Sequence, residues 1–408
     1  MIRKLIPILF ITCFVCAAQA QTGFRILDNK KYVEIPFEYK NNFIILTINF
    51  KNIMPLRFVF DTGAEHTVLA QRSYADLFNL PFEQEFRVAG SDLKQPLIAY
   101  LVRKVPFLIP DKIFAPGEDI LVLQEDYFRF EEYAGIEIHG ILSANAFSNY
   151  IIRINYQKRI IELIDPTIFK VPKGFEPLDI ELSRNKIYLN TNLEVATDSV
   201  APAKLLIDTG AGMPLLLFTN THPLLSPPDQ VVPSNIGMGL GGYIEGYTGR
   251  IKQLDMLPFK QTEIVTYFQE LDSLTDYSYL NKRNGLIGNT ILERFILTID
   301  YNEEKIYLKP SRLYSEKFLY DRSGISVIAS GEKLNHFMVS NIVPKSPAAD
   351  ADIRRGDQLL RVGGFPSSWH TLHSIQSYFL KKAGKKLVIV IRRDGKRIKK
   401  KIVLRDLI

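Results

Sequence analysis

The sequence predicts an all-β dominated body built from two copies of one lobe, followed by a small α+β domain. Three observations carry that reading. The stretches RFVFDTGAEHTVL (57–69) and KLLIDTGAGMPLLL (204–217) each run a hydrophobic strand into Asp-Thr-Gly-Ala and then into a second apolar run. The segments GILSANAFSNYIIRINYQKRIIEL (140–163) and GLIGNTILERFILTIDYNEEKIYL (285–308) align without a gap, pairing Gly140 with Gly285 and Ile154 with Ile299. Their offset is 145 against 147 for the two aspartates, and two landmarks at almost one offset indicate an internal duplication. Finally, residues 321–408 hold 18 Lys+Arg against 7 Asp+Glu, a net of +11, whereas the whole chain is +7, so the remainder is about −4. The basic charge belongs to a separate C-terminal unit.

At 408 residues, 46% hydrophobic and 23% charged, the chain has the length and composition of two or three globular domains. Arg3 and Lys4 open a leader whose apolar run, Leu5 to Ala18, ends in a small-x-small site at Ala18-Gln19-Ala20. About 14 apolar residues are too few to span a bilayer comfortably, so residues 1–20 read as a cleaved signal peptide that leaves no transmembrane anchor. Both cysteines, Cys13 and Cys16, lie in this leader. The mature chain is therefore expected to be exported without disulfides, with the periplasm favoured over secretion.

The first lobe is expected over 21–170. It starts with alternating strands over 24–60, has a short helix near Ser73–Phe78 and a turn at Ala89-Gly90-Ser91-Asp92, and closes with a short helix and a two-strand meander over 140–164. The second lobe, 171–310, opens with EPLDIELSRNK and repeats the plan; residues 311–320 read as a linker to the final domain, 321–408. Within that domain, KLVIVI and IKKKIVL flank Asp394-Gly395, a hairpin signal. The 11 basic residues between Lys381 and Lys401 read first as a solvated face and only second as an anionic-surface site. No nucleic-acid motif accompanies them, so nucleic acid is not an expected partner.

The chemistry centres on Asp61 and Asp208. An Asp on a tight Thr-Gly turn at the end of a buried strand is held rigidly. Gly63 and Gly210 allow close backbone approach, and Thr62 and Thr209 can hydrogen-bond across a pseudo-twofold interface. Two carboxyl groups brought within about 3 Å cannot both ionise easily and share one proton. One then acts as general base on a water while the other polarises a carbonyl. This scheme calls for no metal or other cofactor.

With these residues the chain resembles the aspartic peptidases. DTGAEHTVL in particular is similar to the active-site loop of the retropepsin-like (clan AA) branch, since Ala follows both turns. The resemblance covers about residues 30–310. It implies a duplicated two-lobed acid-protease fold with Asp61 and Asp208 as catalytic dyad, and polypeptide substrates. An apolar-apolar-Gly segment is expected beneath each turn. Leu286-Ile287-Gly288 fits, whereas Ile141-Leu142-Ser143 replaces Gly by Ser. Ala64 and Ala211 lack the hydroxyl that pepsin-type enzymes place there to lower the carboxyl pKa, so activity nearer neutral pH is expected. Flap hairpins are expected at 87–96, with Gly90 at the tip, and at Gly237–Gly249.

Residues 318–408 resemble a bacterial-type PDZ domain. The matching residues are SNIVPKSPAA from Ser340, IRRGD from Ile353 and QLLRVGG from Gln358. The resemblance implies that Gly324, Ile325, Ser326 and Val327 take a peptide C-terminal carboxylate, and that a helix over Thr371–Lys382 lines the groove. The rival to a bacterial exported aspartic endopeptidase is a catalytically silent peptide-binding protein on the same fold. Ser183 and Lys186 form a chance Ser-x-x-Lys, His370 and His373 a helix surface, and His66 a surface residue.

Overall fold

The computed structural model describes residues 23–89, 96–196, 199–239, 242–271 and 280–408, so the leader lies outside the described residues. Burial alternates along the first strands as the sequence pattern requires. In Tyr32–Pro36 only Val33 and Ile35 point inward. Phe43–Phe50 pairs antiparallel with Met54–Asp61 across a turn in which Lys51 and Asn52 take φ of 53° and 62°, the left-handed pair that suits a tight hairpin.

Each aspartate stands where an inserted strand ends. Met54–Asp61 pairs in parallel with Gly140–Ser143, in the register Ser143↔Asp61, and Gly140–Ser143 pairs on its other side with Thr67–Leu69. The second lobe repeats this arrangement. Ser199–Ile207 pairs in parallel with Gly285–Ile287, which pairs antiparallel with Leu215–Phe218. The sequence places a helix at the start of 140–164; the structure places the strand Gly140–Ser143 there, and the helical turn Ala144–Phe147 follows it. Insertion between two strands explains the difference, because it supplies both backbone edges with partners and buries Leu142 completely. The other short helix, Arg72–Leu77, lies one residue from the expected span.

The two closing segments join the lobes. A six-stranded sheet runs in the order Glu176–Asp179, Lys305–Pro310, Phe295–Asp300, Ile151–Asn155, Ile160–Ile164, Tyr32–Pro36. At its centre Arg153 lies opposite Thr298, and these two residues are each other's counterparts in the duplication. The pseudo-twofold axis therefore passes through that pair. Apolar side chains from both lobes and this shared sheet form one continuous core.

The C-terminal domain is built on a separate sheet, ordered Ile325–Ser330, His336–Ile342, Gln358–Val362, Lys386–Arg393, Lys396–Val403. Its core includes Phe337, Val362, Ile375 and Ile389. Helix Leu372–Phe379 is started by a capping box between Thr371 and Ser374. The expected hairpin turns at Asp394 and Gly395, with φ of 49° and 76°. The connecting residues are tied to the body: Arg294 Nη1 donates to the carbonyls of Leu313 and Glu316, and its guanidinium stacks 3.6 Å from the Phe318 ring centroid. The fold class is thus the expected one, a β-dominated two-lobed body with a small α+β domain.

Among the described residues, no helix is long and apolar enough to cross a membrane. Ile154 and Ile299 are counterparts, both fully buried in the shared sheet. Truncating either to Ala is expected to cost about 2–5 kcal/mol. Because one core serves both lobes, urea unfolding followed by fluorescence should lower a single cooperative transition in each case.

Candidate active site

Two Asp-Thr-Gly turns meet at the pseudo-twofold axis. Thr62 N donates to Thr209 Oγ1 and Thr209 N donates to Thr62 Oγ1, both at 3.0 Å. Each hydroxyl in turn donates across the axis, Thr62 to the Ile207 carbonyl at 2.7 Å and Thr209 to the Phe60 carbonyl at 2.8 Å. Both threonines are buried, so these four bonds are shielded from water. The turns approach so closely that a Cβ on Gly63 would sit 2.8 Å from the Asp208 carboxyl carbon, and one on Gly210 only 2.4 Å from that of Asp61.

The result is a pair of carboxyl groups hydrogen-bonded to one another. Asp61 Oδ1 accepts from Gly63 N at 2.6 Å and Ala64 N at 3.1 Å; Asp208 Oδ1 accepts from Gly210 N at 2.9 Å. Burial, and then the charge of Asp208, push the Asp61 carboxyl well above the usual carboxylate range. Burial also raises Asp208, but the Arg283 guanidinium, the bond from Asp61 and the Lys186 ammonium oppose it. The pair is therefore poised to hold one proton between its two members, with the neighbouring cations favouring the ionised form of Asp208.

Lys186 and Arg283 are the site residues that sequence reasoning missed. Lys186 follows the two-residue turn Arg184-Asn185, and its largely buried ammonium is 3.9 Å from Glu65 Oε2. Burial, followed by the Arg283 charge, lowers its pKa. The Ser-x-x-Lys spacing held no signal for this, because Lys186 acts beside the aspartates and not through Ser183.

The lobes differ beneath the two turns. A Cβ on Gly288 would come within 2.2 Å of the Met213 carbonyl oxygen, so the second lobe requires Gly there. In the first lobe Ser143 fits, and its hydroxyl donates to the Ala64 carbonyl at 2.8 Å. Asn289 donates to the Thr209 and Asn42 carbonyls and accepts from the Tyr156 hydroxyl at 2.7 Å. Its counterpart in the duplication is Ala144, which has no such group. The hydroxyl of Tyr301, counterpart of Tyr156, is buried and has no hydrogen-bond partner among the described residues.

The other sequence candidates fall as follows. Gln84–Ala89 and Pro96–Ile109 form the arms of one hairpin, and Val232–Gly239 and Gly242–Met256 those of another. The tip residue Gly90 lies outside the described residues, as do 91–95 and 240–241. His66 is exposed beside Glu65, and His370 Nδ1 contacts Ser374 Oγ. Among the described residues no group of three or more His, Cys, Asp or Glu could hold a metal ion.

In the C-terminal domain, Gly324 N donates to Asp321 Oδ2 at 2.6 Å and Ile325 N to Ser323 Oγ at 3.1 Å. These donors, assigned from sequence to a peptide carboxylate, already have partners within the chain. Ser326 and Val327 lie in strand Ile325–Ser330, with a bulge between them.

Replacing Thr62 by Val keeps the shape and leaves the Ile207 carbonyl and Thr209 N–H without partners. A loss of about 1–3 kcal/mol is expected. Thr209→Val should cost a similar amount, and the double variant should cost less than the sum. Chemical denaturation of the four proteins checks this; strict additivity would show that the turns are not coupled.

Comparison with known proteins covers the chain unevenly. No curated protein matches it. The solved structures similar to it include the aspartic proteinase from Irpex lacteus, with a TM-score of 0.46 and 10% sequence identity, over 70% of this chain and 99% of that chain. Residues 338–393 match the family of the PDZ domain, and the C-terminal unit of this chain is a PDZ domain.

Proposed function

We propose that the chain is an exported, retropepsin-like aspartic endopeptidase, periplasmic in location, whose PDZ domain recruits or regulates. The observation that carries this reading is the hydrogen-bonded pair Asp61–Asp208, held on two turns by crossed threonine bonds. Such a pair supplies one proton and one negative charge at a single point, which is what uncatalysed amide hydrolysis lacks.

In the proposed reaction Asp208, kept ionised by its neighbouring cations, takes a proton from a water lying between the carboxyl groups. The Asp61 proton passes to the scissile carbonyl oxygen as the C–O bond forms, giving a tetrahedral gem-diol. On collapse, the proton held by Asp208 moves to the leaving nitrogen, the C–N bond breaks, and a gem-diol hydroxyl returns its proton to Asp61. The enzyme ends as it began, with no covalent adduct. The Gly63 and Ala64 N–H groups hold Oδ1 of Asp61, and the Gly210 N–H group holds Oδ1 of Asp208.

The purified chain without its leader is expected to cleave an unfolded protein, with inhibition by pepstatin. Asp208→Asn should lower kcat by at least about 10³-fold while the protein stays folded. Equal inertness of both proteins would favour the silent peptide-binding reading instead.

The pH profile follows from the direction of the shifts. Asp61 is raised by burial and by its charged partner, and no hydroxyl at Ala64 or Ala211 counters this. The active state, one proton on the pair, is lost at low pH when the second carboxyl group is protonated and at high pH when the raised group ionises. The kcat/KM profile is therefore expected to be bell-shaped with its optimum nearer neutral; a maximum below about pH 3 would overturn this.

A further inference from the structure

Among the described residues, strand Ile325–Ser330 has one strand neighbour, His336–Ile342. Its other side faces helix Leu372–Phe379, and PDZ domains receive an extended peptide between such elements. In this chain that channel is filled from the first lobe. Helix Phe130–Ala134 lies against strand Ile325–Ser330. The residue that ends it, Gly135, has φ of +61°, and a Cβ there would come within 2.9 Å of the Leu372 Cβ and 3.7 Å of the Ala329 Cβ. Leu372 and Ala329 face each other from the two walls of the groove, yet both are fully buried.

We infer that the PDZ groove is bound by the chain's own segment 130–135, and that an external peptide enters only by displacing it. A second observation fits an internal occupant. A segment from mid-chain brings no terminal carboxylate, and the loop donors at Gly324 and Ile325 are satisfied by Asp321 and Ser323 instead. Tethering also favours the internal ligand. A linked site sees its partner at roughly millimolar effective concentration. If the segment itself binds the groove with an intrinsic Kd of about 10 μM, a free peptide would then bind about 100-fold more weakly.

The segment is joined to the aspartates. The Phe130 ring packs edge-on against Phe43 with centroids 5.7 Å apart, and Asn41 Nδ2 donates to the Ala134 carbonyl. Ala134 and Ile136 share a cluster with Ile45 and Val59, two residues before Asp61. Asn42 Nδ2 donates to the Gly212 carbonyl at 2.9 Å, just past the second turn. Occupancy of the groove thus bears on both turns. That this makes it a control on peptidase activity rests on the proposed function; the occupancy itself does not.

The test uses the full chain without its leader and carrying Asp208→Asn, so that no peptide is consumed. The probe is a fluorescein-labelled peptide with the sequence of residues 128–137, FRFEEYAGIE. Gly135→Asn keeps a residue that tolerates the left-handed backbone but drives a polar side chain into Leu372. Fluorescence polarisation should show at least tenfold tighter peptide binding to the Gly135→Asn protein than to its parent. In the parent itself, saturating peptide should speed amide hydrogen exchange across residues 130–136, a measurement that stands even if the variant misfolds. Equal affinities in two folded proteins, no binding to either, or unchanged exchange under saturating peptide would each overturn the inference. Neither readout measures hydrolysis, so a failure to cleave substrate would count against the proposed function alone.

Discussion

The crossed bonds between Thr62 and Thr209 constrain everything around them. Each threonine gives one donor and one acceptor to the opposite lobe, and all four bonds are buried. A buried polar group left unpaired costs about 1–3 kcal/mol, so the turns are stable only when they meet in this register. Meeting in it, they bring together two carboxyl groups that would repel if both were ionised. The shared sheet beneath does the coarse alignment, with Arg153 and Thr298 on the axis, and the threonines do the fine alignment. The elevated pKa of Asp61 is a consequence of this arrangement and is tolerated because the surrounding bonds outweigh it.

A duplicated pair of aspartates would be equivalent if the duplication were perfect. Here the symmetry is broken around Asp208. Arg283 and Lys186 stand beside Asp208, both supplied by the second lobe, and they stabilise its ionised form. Asn289 supports the Thr209 turn from beneath and has no polar counterpart at Ala144. Ser143 in place of Gly adds a hydroxyl bond to the Ala64 carbonyl and leaves the carboxyl itself untouched. The departure at Ser143 therefore strengthens the first turn.

What could be read in the sequence was what the duplication wrote twice or what a short local signal marked. The aspartate turns, the closing segments and the hairpin at Asp394-Gly395 are local patterns whose backbone needs are visible in a few residues. The neighbours of the dyad were not visible in this way. Lys186 reaches it from a strand more than a hundred residues beyond Asp61, and Arg283 follows a stretch without repeat or motif. The strand at Gly140–Ser143 read as helical because its partners, at Met54–Asp61 and Thr67–Leu69, are distant in sequence. Likewise, nothing in FRFEEYAGIE announces that Gly135 is fitted against Leu372, since the contact spans the two units of the chain.

The linker explains why such a contact is strong enough to matter. Residues 311–320 read as a linker, and a flexible linker would dilute the PDZ domain around the body. Instead Arg294 holds the carbonyls of Leu313, Tyr314 and Glu316 and covers Phe318, so the chain is fixed until just before the domain begins. Arg250 adds a bond to the Phe318 carbonyl at 3.1 Å. Anchoring removes most of the orientational freedom that groove and segment would otherwise lose on meeting, which raises their effective concentration for each other. Pre-organisation, more than the modest apolar area of six residues, is what makes segment 130–135 a competitive ligand.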